Sequence, residues 1–129
     1  MMRILYDTDF LLGAFAQDDA HYTNVRPLLN KIGIHEMFAL RLVHYELATV
    51  LSRKFKQSLT IAILDEVKKL PIHWLSIDEV IEEKIWQEFY SYKKKNVSFV
   101  DCANLAFALD MNMKIASFDR FYPKDILLQ

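Results

Sequence analysis

The chain has 129 residues, 53% of them hydrophobic and 13% aromatic, enough to hide about two-thirds of its unfolded surface in one core and unlike a disordered chain. Only 2 Gly, 3 Pro and 1 Cys argue against a turn-rich all-β barrel and exclude an internal disulfide framework or a cysteine zinc cluster. The 16 Lys and Arg against 17 Asp and Glu leave a net charge of −1, so any nucleic-acid partner needs a local basic patch rather than a global field.

The amino-terminal apolar run carries Arg3 and is then broken by Asp7 and Asp9, which spoils a signal-peptide core. Charge-free stretches such as residues 10–16 fall far short of the ~20 residues of a membrane span. The expectation is a soluble, cytoplasmic protein with no membrane partner, folded as a single domain over residues 1–129.

In chain order, residues 3–6 read as a buried strand closed by Asp7, Thr8 and Asp9, which feed a short helix over residues 10–15. Residues 18–32 have helical periodicity, with Val25, Leu28, Leu29 and Ile32 on one stripe and Gly33 as a stop. Pro27 means that this helix starts near Asn24 or is kinked. Residues 37–40 read as a second strand, 42–56 and 58–70 as helices, the latter stopped by Pro71. Residues 72–76 make a third strand. Ser76 and Glu79 have capping-box spacing and open a helix to about Lys94; Ser98 and Asp101 repeat that spacing before residues 105–109. Residues 114–117 form a fourth strand and 126–128 a candidate fifth. Strands separated by one or two helices predict an α/β fold, three layers α/β/α, around a four- to five-stranded, mainly parallel sheet.

Open parallel sheets bind ligands beyond the carboxyl ends of their strands, and Asp7 and Asp119 follow the first and fourth strands. Taken singly, an Asp after a strand is more often a turn former or a helix cap, and Thr8 and Asp9 are able to cap the next helix. Glu46 stands three residues after Val43 and four before Val50, along the edge of the apolar stripe of its helix. An inward-facing acid is costly unless something holds it, and no cation lies three or four residues away, where Leu42, Val43, Thr49 and Val50 stand. The plain alternative is a boundary side chain reaching water. Asp101 completes a capping box with Ser98, which the helix dipole favours without any chemistry.

The combination is harder to explain structurally than any member. Asp7, Glu46, Asp101 and Asp119 come from four separate segments and map to one sheet edge. Two carboxylates ~4 Å apart repel by about 4 kcal/mol at an effective dielectric near 20, and a divalent cation is the simplest compensation. Hard oxygen ligands without a Cys or His pattern favour Mg2+ or Mn2+ over Zn2+. Such carboxylate sites hydrolyse phosphodiesters by lowering the pKa of a water and stabilising phosphoryl charge.

Three segments, ILYDTDFLLGAF, LVHYELATVLSR and SFVDCANLAFALDMNMKIASFDRFY, together resemble the PIN-domain family of metal-dependent ribonucleases, in particular the small VapC-type toxins. The resemblance covers essentially the whole chain. It places the family's four acids on Asp7, Glu46, Asp101 and Asp119, and the small polar residues accompanying the outer acids on Thr8, Asp9 and Ser117. It implies a PIN-like fold, Mg2+ or Mn2+ dependence, hydrolysis of single-stranded or structured RNA by activated water, a homodimer, and a cognate antitoxin that occludes the site. Arg41 and Tyr45 stand where small residues are commoner, and Asp9 where Asn or Ser is frequent, adding a fifth acid.

RNA charge must be met locally. Arg41, before the Glu46 helix, and Arg120, beside Asp119, are the candidate RNA-binding residues, weighed against solvated surface cations. Lys93, Lys94 and Lys95 read first as a helix end suited to the dipole. His21, His35, His44 and His73 share no metal-ligand spacing; Cys102 reads as core; Tyr90, Tyr92 and Phe121 read as packing before base stacking. Two alternatives remain: a phosphatase of the haloacid-dehalogenase type, which gives Glu46 no role, and a non-catalytic PIN-like scaffold binding RNA or protein.

Overall fold

The structure, a computed structural model, describes residues 1–128. Among these, strand β1 (Met2–Tyr6) leads to helices α1 (Thr8–Phe15) and α2 (Tyr22–Ile32). Then β2 (His35–Leu40) runs directly into α3 (Arg41–Lys54), followed by α4 (Gln57–Lys68) and β3 (Ile72–Leu75). Helices α5 (Glu79–Ser91) and α6 (Phe99–Asp110) precede β4 (Lys114–Ala116).

The strands form one four-stranded sheet in the order β3-β2-β1-β4, and every pairing is parallel. Parallel strands need long crossovers, which the helix pairs supply. Residues 126–128 add an isolated parallel bridge, Ile115 to Leu127, so the expected fifth strand is reduced to one contact. Register divides the side chains between two faces. On one, Tyr6 packs edge-on against Phe10 of α1 and Trp74 stacks on His44 of α3. On the other, Arg3 lies over the Phe38 ring and donates to the Met111 carbonyl at the end of α6. Helices therefore cover both faces, and Ile4, Leu5, Ala39, Leu40 and Ile115 between them are fully buried.

Several expected boundaries shift for local reasons. Asp7, not Thr8 or Asp9, caps α1: its side chain accepts from the Thr8 amide. Helix α2 begins at Tyr22 and contains Pro27, leaving the Thr23 carbonyl without the usual amide partner; it ends at Gly33, whose φ of 69° suits glycine. Helix α5 is not opened by Ser76 and Glu79: Asp78 caps it, accepting from the Ile81 amide at 2.8 Å, while Ser76 accepts from Arg41. It ends at Ser91 with Tyr92 as its C-cap, so the three lysines lie just beyond its carboxyl end rather than in its last turn. The capping box of Ser98 and Asp101 is present in full at the start of α6.

Candidate active site

The chain leaves β1 to one side for β2 and later returns past it to β4. The strand order therefore reverses between β1 and β4, and a crevice at such a reversal is where open parallel sheets receive ligands. Asp7 closes β1 at this point, its amide donating to the Ala116 carbonyl at 3.0 Å. Ser117 and Asp119 follow β4 on the neighbouring strand end.

Asp7 is only 5% exposed and receives four hydrogen bonds. Oδ1 accepts from the Thr8 amide at 2.8 Å and Asn104 Nδ2 at 3.1 Å; Oδ2 accepts from Ser117 Oγ and Tyr122 OH, each at 3.0 Å. All four donors are neutral, whereas the charges acting on Asp7 are those of Asp9 and Asp101. Burial first, then Asp9, pushes its carboxyl up to about 7.

Asp101 sits on the first turn of α6, held by the Ser98 amide at 3.0 Å, and Tyr122 OH lies 3.4 Å from its Oδ1. Burial raises its pKa too, with the nearby Asp119 adding to the rise against the helix-cap bonds. Asp9, also raised by burial, accepts from the Phe118 amide at 2.9 Å and lies 3.2 Å from Ser117 Oγ through both oxygens. It faces across to the segment that follows β4.

Ser117 has one proton for Asp7 and Asp9, and Tyr122 one for Asp7 and Asp101. Neither hydroxyl proton can therefore serve all the carboxylate oxygens within its reach at once. The deficit is relieved by protonating an acid, as the raised pKa values record, or by a cation. Burial and Asp7 raise the Tyr122 phenol far above its ordinary range, so it remains a donor.

The other two acids stand at the margin. Glu46, in the second turn of α3, is half-buried beside the buried stripe of Val43, Leu47 and Leu51 and accepts from the Thr8 hydroxyl, which ties it to the residue after Asp7. Asp119 accepts from the Phe121 amide at 2.9 Å, forming an Asx turn, and its own amide donates to Ser117 Oγ at 3.0 Å. Contacts run from Asp7 through Thr8 to Glu46, through Ser117 to the Asp119 amide and through Tyr122 to Asp101, while Asp9 joins at Ser117. Among the described residues no three metal-ligating side chains close to coordination distance; the acids accept from protein donors instead. The donor set, all hard oxygen, still fits Mg2+ or Mn2+.

Arg41 and Arg120 are exposed. Arg41 starts α3 at the same sheet edge and donates to Ser76 at 2.9 Å; Arg120 follows Asp119 directly. Cys102 is buried core, and Tyr92 packs edge-on against Phe121.

Three contributors escaped the sequence reading. Asn104 stands three residues after Asp101, on the same face of α6, and is the polar residue in an apolar run; that spacing was a usable signal. Nothing in the sequence separated Tyr122 from a packing aromatic. His21 stacks on Phe118 at 4.1 Å between ring centroids, and its charge favours ionised Asp9; no spacing rule links it to them.

The PIN domain family matches residues 4–124. The chain belongs to the PIN-domain family. Its fold is similar to that of VapC20 from Mycobacterium tuberculosis, described as a sarcin-ricin loop cleaving toxin, with a TM-score of 0.79 and 19% identity over 92% of this chain and 91% of that one. It is also similar to VapBC2 from Rickettsia felis, solved bound to a DNA fragment from the promoter, with a TM-score of 0.64 and 16% identity over 92% and 89%. No curated protein sequence matches. The family assignment supports a nuclease-type PIN domain, a family typically metal-dependent, and leaves the dehalogenase-type phosphatase reading without support. No helix among the described residues is long and apolar enough to cross a membrane.

Proposed function

We propose that the chain is a Mg2+- or Mn2+-dependent endoribonuclease that hydrolyses single-stranded or structured RNA, and that it is the cytoplasmic toxin of a toxin–antitoxin pair. The observation that carries this reading is buried Asp7 at the strand-reversal crevice of a PIN-family sheet, ringed by neutral donors and facing the charges of Asp9 and Asp101. A stable fold gains nothing from that arrangement.

Asp7, Glu46, Asp101 and Asp119 are the residues that would hold the cation, directly or through water. Bound there, a divalent cation supplies a water of lowered pKa and positive charge for the phosphoryl oxygens. The chain's own residues do the rest. Thr8 orients Glu46; Ser117 joins Asp7 and Asp9 to the turn carrying Asp119. Glu46 and Asp119, less buried than Asp7 and Asp101, are placed to accept the proton of the attacking water. Arg41 and Arg120 meet the RNA phosphates.

The similarity to VapBC2 and VapC20 supports a cognate antitoxin and a structured RNA loop as substrate. Exposed Leu59 and Ile61 on α4, 46% and 49% accessible, are consistent with a homodimer or with an antitoxin contact.

The test is cleavage of labelled RNA, including a sarcin–ricin loop oligonucleotide, with Mn2+, Mg2+ or EDTA, comparing wild type with Asp101→Asn. Asparagine keeps an oxygen for the Ser98 amide, so the helix cap survives. Cleavage that requires metal and falls at least ~100-fold in the variant supports the reading. Cleavage that survives both EDTA and the variant contradicts it. Absence of cleavage together with absence of any Mn2+-dependent rise in melting temperature would favour a non-catalytic scaffold.

A further inference from the structure

An ionised carboxylate offers about four acceptor sites, and the four bonds to Asp7 fill them. A cation can therefore ligate Asp7 only if one of these donors withdraws. The Thr8 amide is fixed by the helix that Asp7 caps. Asn104 lies wholly buried on α6, and its amide nitrogen already divides its hydrogens between Asp7 and Tyr122 OH, 3.3 Å away. Both hydroxyls have somewhere else to go, because Ser117 reaches Asp9 and Tyr122 reaches Asp101. Among the described residues only the Tyr122 hydroxyl stands between Asp7 and Asp101, within 3.4 Å of an oxygen of each. A cation held by either acid would have to contest this position.

We propose that Tyr122 is an internal stand-in for the cation: its hydroxyl, steered by the Asn104 amide, donates to Asp7 from a position beside Asp101 in the metal-free protein and must release Asp7 before a divalent ion is ligated. The inference rests on the metal-site reading above and deepens it. Tyr122 is a positioning residue that sets how tightly the site takes metal. The phenol competes with the ion for an Asp7 oxygen, so removing only its hydroxyl exposes a lone pair toward Asp101 and leaves their repulsion for the cation to relieve. The ring, 2% exposed and packed edge-on against Phe121, is kept in phenylalanine, and Asn104 retains its bond to Asp7.

The experiment is calorimetric titration of Mn2+ into metal-free wild type, Tyr122→Phe and Asp101→Asn, with melting curves of each before and after metal. The expected result is Mn2+ binding about tenfold tighter in Tyr122→Phe, a lower melting temperature without metal, and a larger rise on adding it. Unchanged or weaker binding in a folded Tyr122→Phe, with wild type binding normally, overturns the role of Tyr122 and leaves the metal site standing. If wild type and Tyr122→Phe both fail to bind, the metal reading falls and this inference with it. A second measurement needs no variant: wild type carrying 13C at the Cζ of its 6 tyrosines is titrated with diamagnetic Mg2+. One Cζ resonance is expected to move with the binding isotherm. If binding is detected and none moves, the inference is overturned.

Discussion

The inner and outer halves of the acid site are built differently. Asp7 and Asp101, 5% and 7% exposed, are held by hydrogen bonds from the starts of α1 and α6, from Asn104 within α6 and from the segment after β4. Glu46 and Asp119 are half-buried and held by one hydroxyl and one local turn respectively. The inner pair is costly and over-determined; the outer pair costs the fold little and is free to meet substrate. Stability and chemistry should therefore separate across the site: inner substitutions alter both, outer ones almost only the chemistry.

The largest effect is expected at Asp7. Asp7→Asn should lower cleavage by ~1,000-fold, the scale of losing a group that stabilises transition-state charge, yet it should not lower the metal-free melting temperature at pH 8. The sign follows from burial. With its carboxyl raised from 3.8 to about 7, ionised Asp7 favours the unfolded chain, so its contribution is fully present below the unfolded pKa and lost as pH rises through about 7. The loss is on the order of 4 kcal/mol at most, and the raised Asp9 and Asp101 add in the same direction. Metal-free wild type should melt lower at pH 8 than at pH 5.5, and Asp7→Asn should flatten that slope; a wild type that grows more stable with rising pH over this range would contradict the account of Asp7.

Glu46→Gln gives the outer counterpart. Cleavage should fall by ~100-fold with a stability change within about 0.5 kcal/mol, and Thr8→Val, which frees Glu46, should cost about tenfold in cleavage. A Glu46→Gln variant that unfolds instead would erase the distinction between the halves. Ser98→Ala sharpens it from the structural side: losing the cap under Asp101 should cost ~1 kcal/mol and a few degrees of melting temperature, read by thermal denaturation. The smallest effects belong to Arg41→Ala and Arg120→Ala, each expected to weaken RNA binding by a few-fold at low salt and to reduce the slope of log affinity against log salt by about one.

The same contrast explains what could be read from the sequence. The placement of Asp7, Asp101 and Asp119 was legible because strand ends and a capping box are local patterns, and that of Glu46 because it stands at the edge of an apolar helical stripe. Ser98 and Asp101 marked the start of α6, where the capping box is complete. The caps of α1 and α5 were not legible, since Asp7 and Asp78 had neighbours of equal capping ability, and tertiary contacts decided which were used. Asn104 and Tyr122 matter through one another and through Asp7, across 97 and 115 residues of chain. No local rule reports a partner at that separation. The fifth strand failed for a related reason, because residues 126–128 meet β4 through the single Ile115 bridge.

The central claim is that the acids are gathered for a divalent cation. The most direct measurement is the anomalous difference map of a crystal soaked in Mn2+ and collected at the manganese edge. The account predicts a peak between the Asp7 and Asp101 carboxylates, with Glu46 and Asp119 reached directly or through water. A soaked crystal in which Asp7 keeps all four of its hydrogen bonds, with manganese bound only elsewhere or not at all, would contradict it.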